Sequence, residues 1–355
     1  MSAWEDNWSP CQRSDALAYF YLLSLSSQCN GDGVLMIEID GSRGEGGGQI
    51  IRTSLTLSAI TKKPVRITNI RAGRPNPGLQ MQHLTSAKAV RNVCRGRLEG
   101  AELHSTELSF EPGEIVGGKY DFDIGTAGSV TLVAQTLIPI LLFASKESEL
   151  RITGGTHVMK SPSYDYFERV FVPAVAQFGV SLECRMLKPG YYPAGGGCME
   201  VQVTPGKPHG CGSWPRDEHV ETIIRLSGLP MGIAVREKKI FVQNSMEHVH
   251  VYEDEALSVG NAVTAWKGLR GAYALGEKGK RAEAVAQEAL NALNTENADV
   301  DLHLADQILI YAALAEGGSG YSTSRISGHL ETNAQMIAKF LDRKMEMQDN
   351  NVRVD

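Results

Sequence analysis

The chain has 355 residues, of which 42% are hydrophobic and 21% charged, a composition typical of a soluble globular protein. The nearest candidate for a membrane span, residues 16–25, is far shorter than the ~18 residues that a spanning helix needs, so we expect no membrane contact. The six cysteines form no CxxC pair and lack metal-ligand spacing, which favours reduced thiols in a cytoplasmic protein.

Residues 1–34 lack the pattern of a signal peptide, because the segment before residues 16–25 is acidic where a basic region is required. We expect this segment to be an extension outside the folded domain, either disordered or preceding the true start of translation. Met36 would then open the first strand.

The net charge of −6 hides an uneven distribution. From Arg43 to Arg97 the chain carries eleven Lys or Arg residues and a single acid, Glu45, so this span has a charge of +10 and the remainder −16. A basic face of this kind is typical of proteins that bind a polyanion, and a solvated basic surface is the alternative. The distribution favours a polyanionic partner despite the acidic total.

The first predicted elements alternate between strand and helix. A strand at 34–41 is followed by glycines and by an apolar segment with helical spacing at 49–60. Alternation at 65–70 predicts a second strand. Residues 71–84 contain a Pro/Gly turn that runs into another helix.

This pattern recurs about 80 residues later. A strand at 120–124, a small-residue turn and an apolar helix at 130–144 follow one another, and an offset of 80 places Thr56 on Thr136. The sequence therefore predicts a repeated strand–helix unit.

Two further segments extend the repeat. A third unit is predicted to start with a strand at 150–155 and to continue with a helix at 164–178, and another helical segment lies at 302–315. The expected fold class is α/β (α+β), with apolar helices packed on sheets.

The composition changes near residues 205–220, where Pro, Gly and charged residues cluster. His248 and His250, beyond this point, are interpreted as an exposed strand face rather than a metal site. The amphipathic segment 282–293 is predicted to resume the core. The predicted domains are an extension at 1–34, a discontinuous core at 35–215 and 281–345, and a small insert at 216–280.

The stretch GSRGEGGGQIIR, residues 41–52, is the first candidate binding loop. It matches neither GxGxxG nor a GK[ST] loop, so the mechanisms of those two motifs do not apply. Glycines before a helix can still present backbone N–H groups to an anion, and a tight turn without a ligand is the alternative.

Three other groups carry chemistry, each with a structural alternative. Arg71 and Arg74 flank a turn and are suited to phosphate oxygens, or are surface arginines. Asp306 and Gln307 lead into an apolar helix, where they suit a ribose, a base edge or a metal, and helix capping is the alternative for Asp306. His329 follows a glycine on a predicted loop or strand end, where a lone histidine is more often structural.

Several motifs together resemble the RNA 3′-terminal phosphate cyclase family. They are EIDGSRGEGGGQIIR, IRAGRPNPGLQMQHL, TAGSVTLVAQ, GGTHVMKSPSYDY, YYPAGGG, HLADQ and HLETN, and they occur in this order from about residue 36 to 340. The resemblance implies repeated βαβαββ-type units, related to the enolpyruvyl transferase fold, with a small inserted α/β domain.

The resemblance also implies an activity, the ATP-dependent conversion of an RNA 3′-phosphate into a 2′,3′-cyclic phosphate. A histidine would be adenylylated first, the adenylyl group would pass to the RNA, and the vicinal 2′-OH would close the ring. The alternative is a non-catalytic, RNA-binding relative that acts in ribosome assembly. The partners implied are RNA with a 3′-phosphate end and, as an option, a second copy in a homodimer.

The family's functional positions match residues of this chain. The nucleophile matches His329, and the metal ligand for Mg²⁺ or Mn²⁺ matches Glu45. The ATP-binding positions match Gln135, Pro162, His303, Asp306 and Gln307, with His303 where the family carries a tyrosine. The RNA-binding positions match Arg52, Arg71, Arg74 and Gln82.

Overall fold

A computed structural model describes residues 27–29 and 35–355. The predicted extension at 1–34 lies outside the described residues, apart from strand β1 (Ser27–Cys29), which pairs antiparallel with the next strand.

The first structural unit has the order βαβαββ. Its elements are β2 (Leu35–Asp40), α1 (Gly48–Thr61), β3 (Val65–Thr68), α2 (Met81–Val93), β4 (Arg97–Glu99) and β5 (Leu108–Glu111). The crossover through α1 makes β2 and β3 parallel, and the sheet order is β1-β2-β3-β5-β4. The predicted strands and helices of this part of the chain are confirmed.

The second unit repeats this topology. Its elements are β6 (Lys119–Asp123), α3 (Val130–Leu141), β7 (Ser148–Gly154), a helix made of α4 (Tyr164–Tyr166), a π-helical turn (Phe167–Phe171) and α5 (Val172–Ala176), then β8 (Leu182–Lys188) and β9 (Gly197–Val203). The sheet order β6-β7-β9-β8 is that of β2-β3-β5-β4. The Thr56 hydroxyl donates to the Thr136 carbonyl at 2.8 Å, so two positions related by the repeat touch where α1 packs on α3.

A four-stranded sheet with two helices follows. Its elements are β10 (Glu221–Ser227), α6 (Gly232–Gln243), β11 (His248–Asp254), β12 (Gly260–Lys267), β13 (Arg270–Leu275) and α7 (Ala282–Asn294). We call the strands, in the order β11-β10-β12-β13, the inserted sheet. The predicted strand face at His248 and His250 lies in β11, where both side chains are exposed.

Helix α7 differs from its predicted position. Val285, Ala289 and Leu293 of its apolar stripe are buried in a hydrophobic cluster with Ile224 of β10 and Phe241 of α6. The helix predicted to resume the core therefore packs on the inserted sheet, since its stripe faces the apolar side of that sheet. The division of the chain into domains stays a prediction.

The third unit occupies the end of the chain. Its elements are α8 (Leu302–Leu314), β14 (Ser319–Ser322), α9 (Gly328–Phe340), β15 (Met345–Gln348) and β16 (Asn351–Val354). The sheet order β14-β16-β15 matches β3-β5-β4. The prediction of a third unit at 150–155 was wrong, because that strand is β7 and belongs to the second unit.

The helices of the three units pack together in the middle of the larger core. Helix α1 contacts α2, α3 and α9, and α8 contacts α9. In α3 only Leu132 and Gln135 are not fully buried, which is typical of a central helix. Each fully buried Leu or Ile stabilises such a core by about 1.5–3 kcal/mol. No helix of residues 27–29 and 35–355 is long and apolar enough to cross a membrane.

Candidate active site

His329 lies in the first turn of α9, rather than on the predicted loop or strand end. The helix begins after Ser327, whose hydroxyl accepts a hydrogen bond from the Leu330 N–H at 3.1 Å. The His329 side chain is 48% exposed, so a ligand can reach it. A serine before a helical run is a recognised start signal, and it could have predicted this helix.

The Nδ1 atom of His329 is held by groups from the glycine-rich loop and α1. It lies 2.8 Å from Gln49 Oε1 and 2.7 Å from Glu45 Oε2. An amide oxygen only accepts hydrogen bonds, so Nδ1 carries the hydrogen and the lone pair of the neutral ring is on Nε2. The arrangement presents Nε2 as the nucleophilic atom.

Gln49 connects His329 to a second predicted site residue. Its Nε2 donates to Asp306 Oδ2 at 2.8 Å, and its side chain is buried. Sequence reasoning missed Gln49, because one polar residue at the start of an apolar helix gives no separate signal. The resulting chain runs from Asp306 through Gln49 to His329.

The charges around His329 set its protonation. Burial lowers its pKa, but the adjacent Glu45 carboxylate and Asp306 outweigh this effect, so the pKa lies above the usual value. Burial raises the pKa of Asp306, and the nearby cationic groups, including Arg52, oppose the rise. The pKa of His329 is therefore raised by neighbouring carboxylates, whereas that of Asp306 is raised by burial.

Glu45 retains an acceptor that the protein does not satisfy. Its buried Oε2 is recorded in no hydrogen bond, and its nearest polar neighbours are His329 Nδ1 at 2.7 Å and Arg74 Nη2 at 3.8 Å. Within the described part of the chain no group of three or more His, Cys, Asp or Glu could hold a metal ion. A single carboxylate suits a Mg²⁺ ion that takes its other ligands from phosphates and water.

The predicted RNA-binding arginines lie next to this centre. Arg74 Nη2 donates to the Glu45 carbonyl at 2.8 Å, and Arg71 Nη1 donates to the carbonyls of Asn76 at 2.5 Å and Gly78 at 2.8 Å. Burial lowers the pKa of Arg52 to about 10, so this guanidinium remains charged at neutral pH. The structure thus brings the three predicted arginines into one basic group.

His83 belongs to this basic group, although sequence reasoning assigned no role to it. Its Nδ1 accepts from the Gln80 backbone N–H at 3.2 Å, which leaves the hydrogen on Nε2. Burial, together with Arg52 and Arg71, lowers the pKa of His83 to about 3. His83 is therefore a neutral hydrogen-bond donor among cations.

Gln82 contacts the second unit. Its Oε1 accepts from the Ser129 N–H at 2.9 Å, and Ser129 is the N-cap of α3. Because the carbonyl oxygen makes this contact, the amide nitrogen is the end of the side chain suited to a phosphate. Gln82 links the RNA-binding positions to α3, which carries a nucleotide-binding position.

The predicted nucleotide-binding residues form a second group. Gln135 Nε2 donates to Gln307 Oε1 at 2.5 Å, and Gln307 Nε2 donates to the His303 carbonyl at 2.7 Å. Pro162 belongs to the same group because its carbonyl accepts a hydrogen bond from the Thr131 hydroxyl of α3 at 2.8 Å. Helix α3 thus connects Pro162 to the start of α8.

Capping is not the role of Asp306. The N-cap of α8 is Asp301, whose Oδ1 accepts from the backbone N–H groups of His303 and Leu304, both at 2.9 Å. Asp306 lies one turn further along and faces Gln49 instead. The capping alternative for Asp306 was therefore wrong.

The sequence was compared with known protein families. The profile of the RNA 3′-terminal phosphate cyclase family matches residues 43–347. The chain belongs to this family. Its relatives include the RNA 3′-terminal phosphate cyclase of Archaeoglobus fulgidus, 43% identical over 89% of this chain and 99% of that protein. The cyclase of Methanosarcina barkeri is 42% identical over 88% of this chain and 97% of the relative.

Solved structures include a more distant likeness. The EPSP synthase of Acinetobacter baumannii is 13% identical, with a TM-score of 0.40, over 90% of this chain and 46% of that chain. This likeness is weak, and the α/β architecture of the chain follows from its three repeated units.

Proposed function

We propose that this chain converts the 3′-phosphate end of an RNA into a 2′,3′-cyclic phosphate at the expense of ATP, with His329 as the nucleophile. The observation that carries the proposal is the hydrogen bond from His329 Nδ1 to Gln49 Oε1, which directs the lone pair to Nε2. The half-exposed ring is close enough to Arg52 of the basic group and to Asp306 of α8 for both charges to act on it. Membership of the cyclase family supports the same activity.

The first step forms a covalent bond to the protein. His329 Nε2 attacks the α-phosphorus of ATP, the Nε2–P bond forms, and the P–O bond to pyrophosphate breaks. Gln49 keeps Nδ1–H in place, so the positive charge that develops on the ring meets Gln49 Oε1 and the Glu45 carboxylate. Splitting the reaction in this way is ordinary covalent catalysis.

The next two steps concern the RNA. An oxygen of the RNA 3′-phosphate attacks the same phosphorus and breaks its bond to Nε2, which yields an RNA-adenylate anhydride. The 2′-oxygen then attacks the RNA phosphorus, loses its proton and expels AMP. Arg52, Arg71 and Arg74 would stabilise the negative charge, and neutral His83 would donate a hydrogen bond.

Glu45 is the residue that we propose holds a divalent cation. Mg²⁺ or Mn²⁺, held by that carboxylate, would supply positive charge to the phosphate oxygens. Gln135, Pro162, His303 and Gln307 would bind the nucleoside. The predicted cytoplasmic location and homodimer stay predictions.

The decisive experiment is covalent labelling. The protein is incubated with α-labelled ATP and Mg²⁺ and then denatured, and we expect an acid-labile, alkali-stable label that is absent in His329→Ala. Gln49→Leu should slow labelling about 10- to 100-fold, the size expected for a hydrogen bond to a charged group. His250→Ala, a change on the exposed face of β11, is the control and should label normally.

The rival reading is a non-catalytic RNA-binding member of the family. That protein would bind RNA but form no label with any divalent ion, and this result would refute the proposed activity. A label that persists in His329→Ala would refute the assignment of the nucleophile alone.

A further inference from the structure

The inserted sheet contacts both sides of the proposed nucleotide site. One side is the segment 161–166, which contains Pro162 and is called the first wall here. The other side is the start of α8 at 301–307, with His303, Asp306 and Gln307, and is called the second wall. Helix α3 joins them through Thr131 and Gln135.

The first wall is tied to β12 by a pair of hydroxyl groups. Ser163 is the N-cap of α4 and accepts from the Tyr166 N–H at 3.1 Å. The same hydroxyl lies 3.0 Å from the Thr264 hydroxyl of β12, and both side chains are buried. This contact comes from the residue that follows Pro162.

A buried ion pair ties the first wall to β10. Arg225 Nε lies 2.8 Å from Asp165 Oδ2, and Nη2 lies 2.9 Å from Oδ1, so the guanidinium holds the carboxylate with two nitrogens. Asp165 is 1% exposed and also contacts His157 Nε2 at 3.0 Å. Buried charges of this kind are tolerated only with well-placed partners, which makes the geometry specific.

The Arg225 guanidinium is itself held by the inserted sheet. Its Nη1 lies 3.2 Å from Asp254 Oδ1, and the group stacks 4.6 Å from the centre of the Tyr252 ring. Asp254 also accepts from the Tyr191 hydroxyl at 3.1 Å. The position of Arg225 relative to β11 is therefore fixed by contacts that do not involve the first wall.

The second wall is tied to β13 through Asp301. The Gly271 N–H of β13 donates to Asp301 Oδ2 at 2.8 Å, and the same carboxylate caps α8. The Tyr166 hydroxyl of the first wall donates to both Asp301 oxygens, at 2.8 and 2.9 Å. A Cβ at Gly271 would lie only 2.9 Å from the Tyr166 ring, so sheet and wall are in close contact.

We propose that the inserted sheet sets the affinity for ATP by holding the two walls of the nucleotide site at a fixed separation. The positioning residues are Thr264 and Arg225 of the sheet and Asp301 of the second wall, which accepts from Gly271 of β13, and none of them needs to touch the nucleotide. The proposal rests on the function proposed above, because it takes these walls to be the nucleotide site. The inserted sheet then acts only on the step in which His329 reacts with ATP.

The test uses substitutions that remove single hydroxyl groups. Thr264→Val removes the link between the sheet and the first wall, and Thr264→Ser restores it. Tyr166→Phe removes the direct bond between the two walls and therefore tests whether their separation matters at all. Both Thr264→Val and Tyr166→Phe keep the side-chain volume. ATP binding is measured by calorimetry on a His329→Ala background, and KM for ATP, KM for RNA and kcat are measured with His329 intact. Tyr120→Phe, which removes a hydroxyl bonded to the Val116 carbonyl, is the matched control.

We expect the Kd and the KM for ATP to rise about fivefold in Thr264→Val and about tenfold in Tyr166→Phe. Thr264→Ser and Tyr120→Phe should behave as the wild type, and the KM for RNA should change less than twofold in every variant. Thermal unfolding verifies that each variant is folded.

Unchanged ATP affinity in folded Thr264→Val would overturn the inference, whatever the result for Tyr166→Phe, as would equal rises in the KM for ATP and for RNA. The proposed function fails in a different way. A wild-type protein that binds ATP but forms no covalent label would refute the chemistry, while the comparison of ATP affinities among the variants would still decide the role of the sheet.

Discussion

At the scale of single residues, the site depends on a hydrogen bond between two distant parts of the chain. His329 and Gln49 are separated by 280 positions, and they meet because α9 packs on α1. Family resemblance identified His329, Glu45 and Asp306 in the sequence. It did not identify Gln49 or the protonation of His83, because both depend on neighbours that only the folded chain brings together.

The pKa values of two histidines, His329 and His83, should be shifted in opposite directions. In protein without nucleotide or metal, His329 should titrate above its ordinary pKa of about 6.5, because adjacent Glu45 favours the imidazolium. His83 should remain neutral down to about pH 4, because burial and two arginines disfavour its charge. The measurement is a pH titration of the imidazole resonances by NMR, with His329→Ala and His83→Gln to assign them.

The low pKa of His83 should also make the free energy of unfolding depend on pH. The folded pKa of His83 lies below that of the unfolded chain, so only the unfolded chain takes up this proton as the pH falls from about 6.5 toward 3. The free energy of unfolding should decrease in this window, and less so in His83→Gln. A His329 resonance that titrates below 6.5 would contradict the arrangement around Glu45.

At the scale of elements, local periodicity predicted most of the helices and strands of the larger core. The offset of 80 residues also predicted the repeat, and Thr56 does contact Thr136. The sequence did not predict that β7 belongs to the second unit or that α7 packs on the inserted sheet. Strand pairing and helix packing are decided by distant partners, and an apolar stripe fits any apolar sheet face.

The start of α9 should control the position of His329, the proposed nucleophile. Ser327→Ala removes the N-cap in the turn that carries His329, which should lower the free energy of unfolding by about 1 kcal/mol and slow labelling by ATP. Ser327→Asp keeps a capping oxygen and should restore both properties. Urea unfolding and labelling rates are the measurements, and normal labelling in a destabilised Ser327→Ala would show that the cap does not position His329.

At the scale of the whole molecule, each unit contributes a different part of the proposed site. The first unit supplies Glu45, the arginines and Gln82, within the span that carries a charge of +10. The second supplies Gln135 and Pro162, and the third supplies His303, Asp306, Gln307 and His329. The charge count alone predicted the basic part, whereas the meeting of the three units at one centre required the fold.

The division between units predicts separable defects. Arg71→Ala should leave labelling by ATP within about twofold of the wild type, because Arg71 belongs to the first unit and bonds only to its own loop among the contacts described. The affinity of Arg71→Ala for RNA, measured at low salt, should be lower than that of the wild type. The slope of log affinity against log salt concentration should decrease in magnitude by about one.

Arg97→Ala is the control for this variant. Arg97 lies on β4 and pairs with Glu99 on the surface, so its loss should leave both the labelling and the cyclisation of RNA unchanged. Equal loss of labelling and cyclisation in Arg71→Ala would show that the arginine serves the nucleotide step as well.

The long separation between His329 and Gln49 has a consequence for synthesis on the ribosome. The first unit, which carries the proposed RNA-binding arginines, emerges early and would meet RNA while the chain is still growing. The proposed nucleophile comes about 280 residues later and gains its orienting partner only when α9 docks on α1. A nascent chain would therefore hold an RNA end without modifying it, and activity would begin only when the third unit is in place.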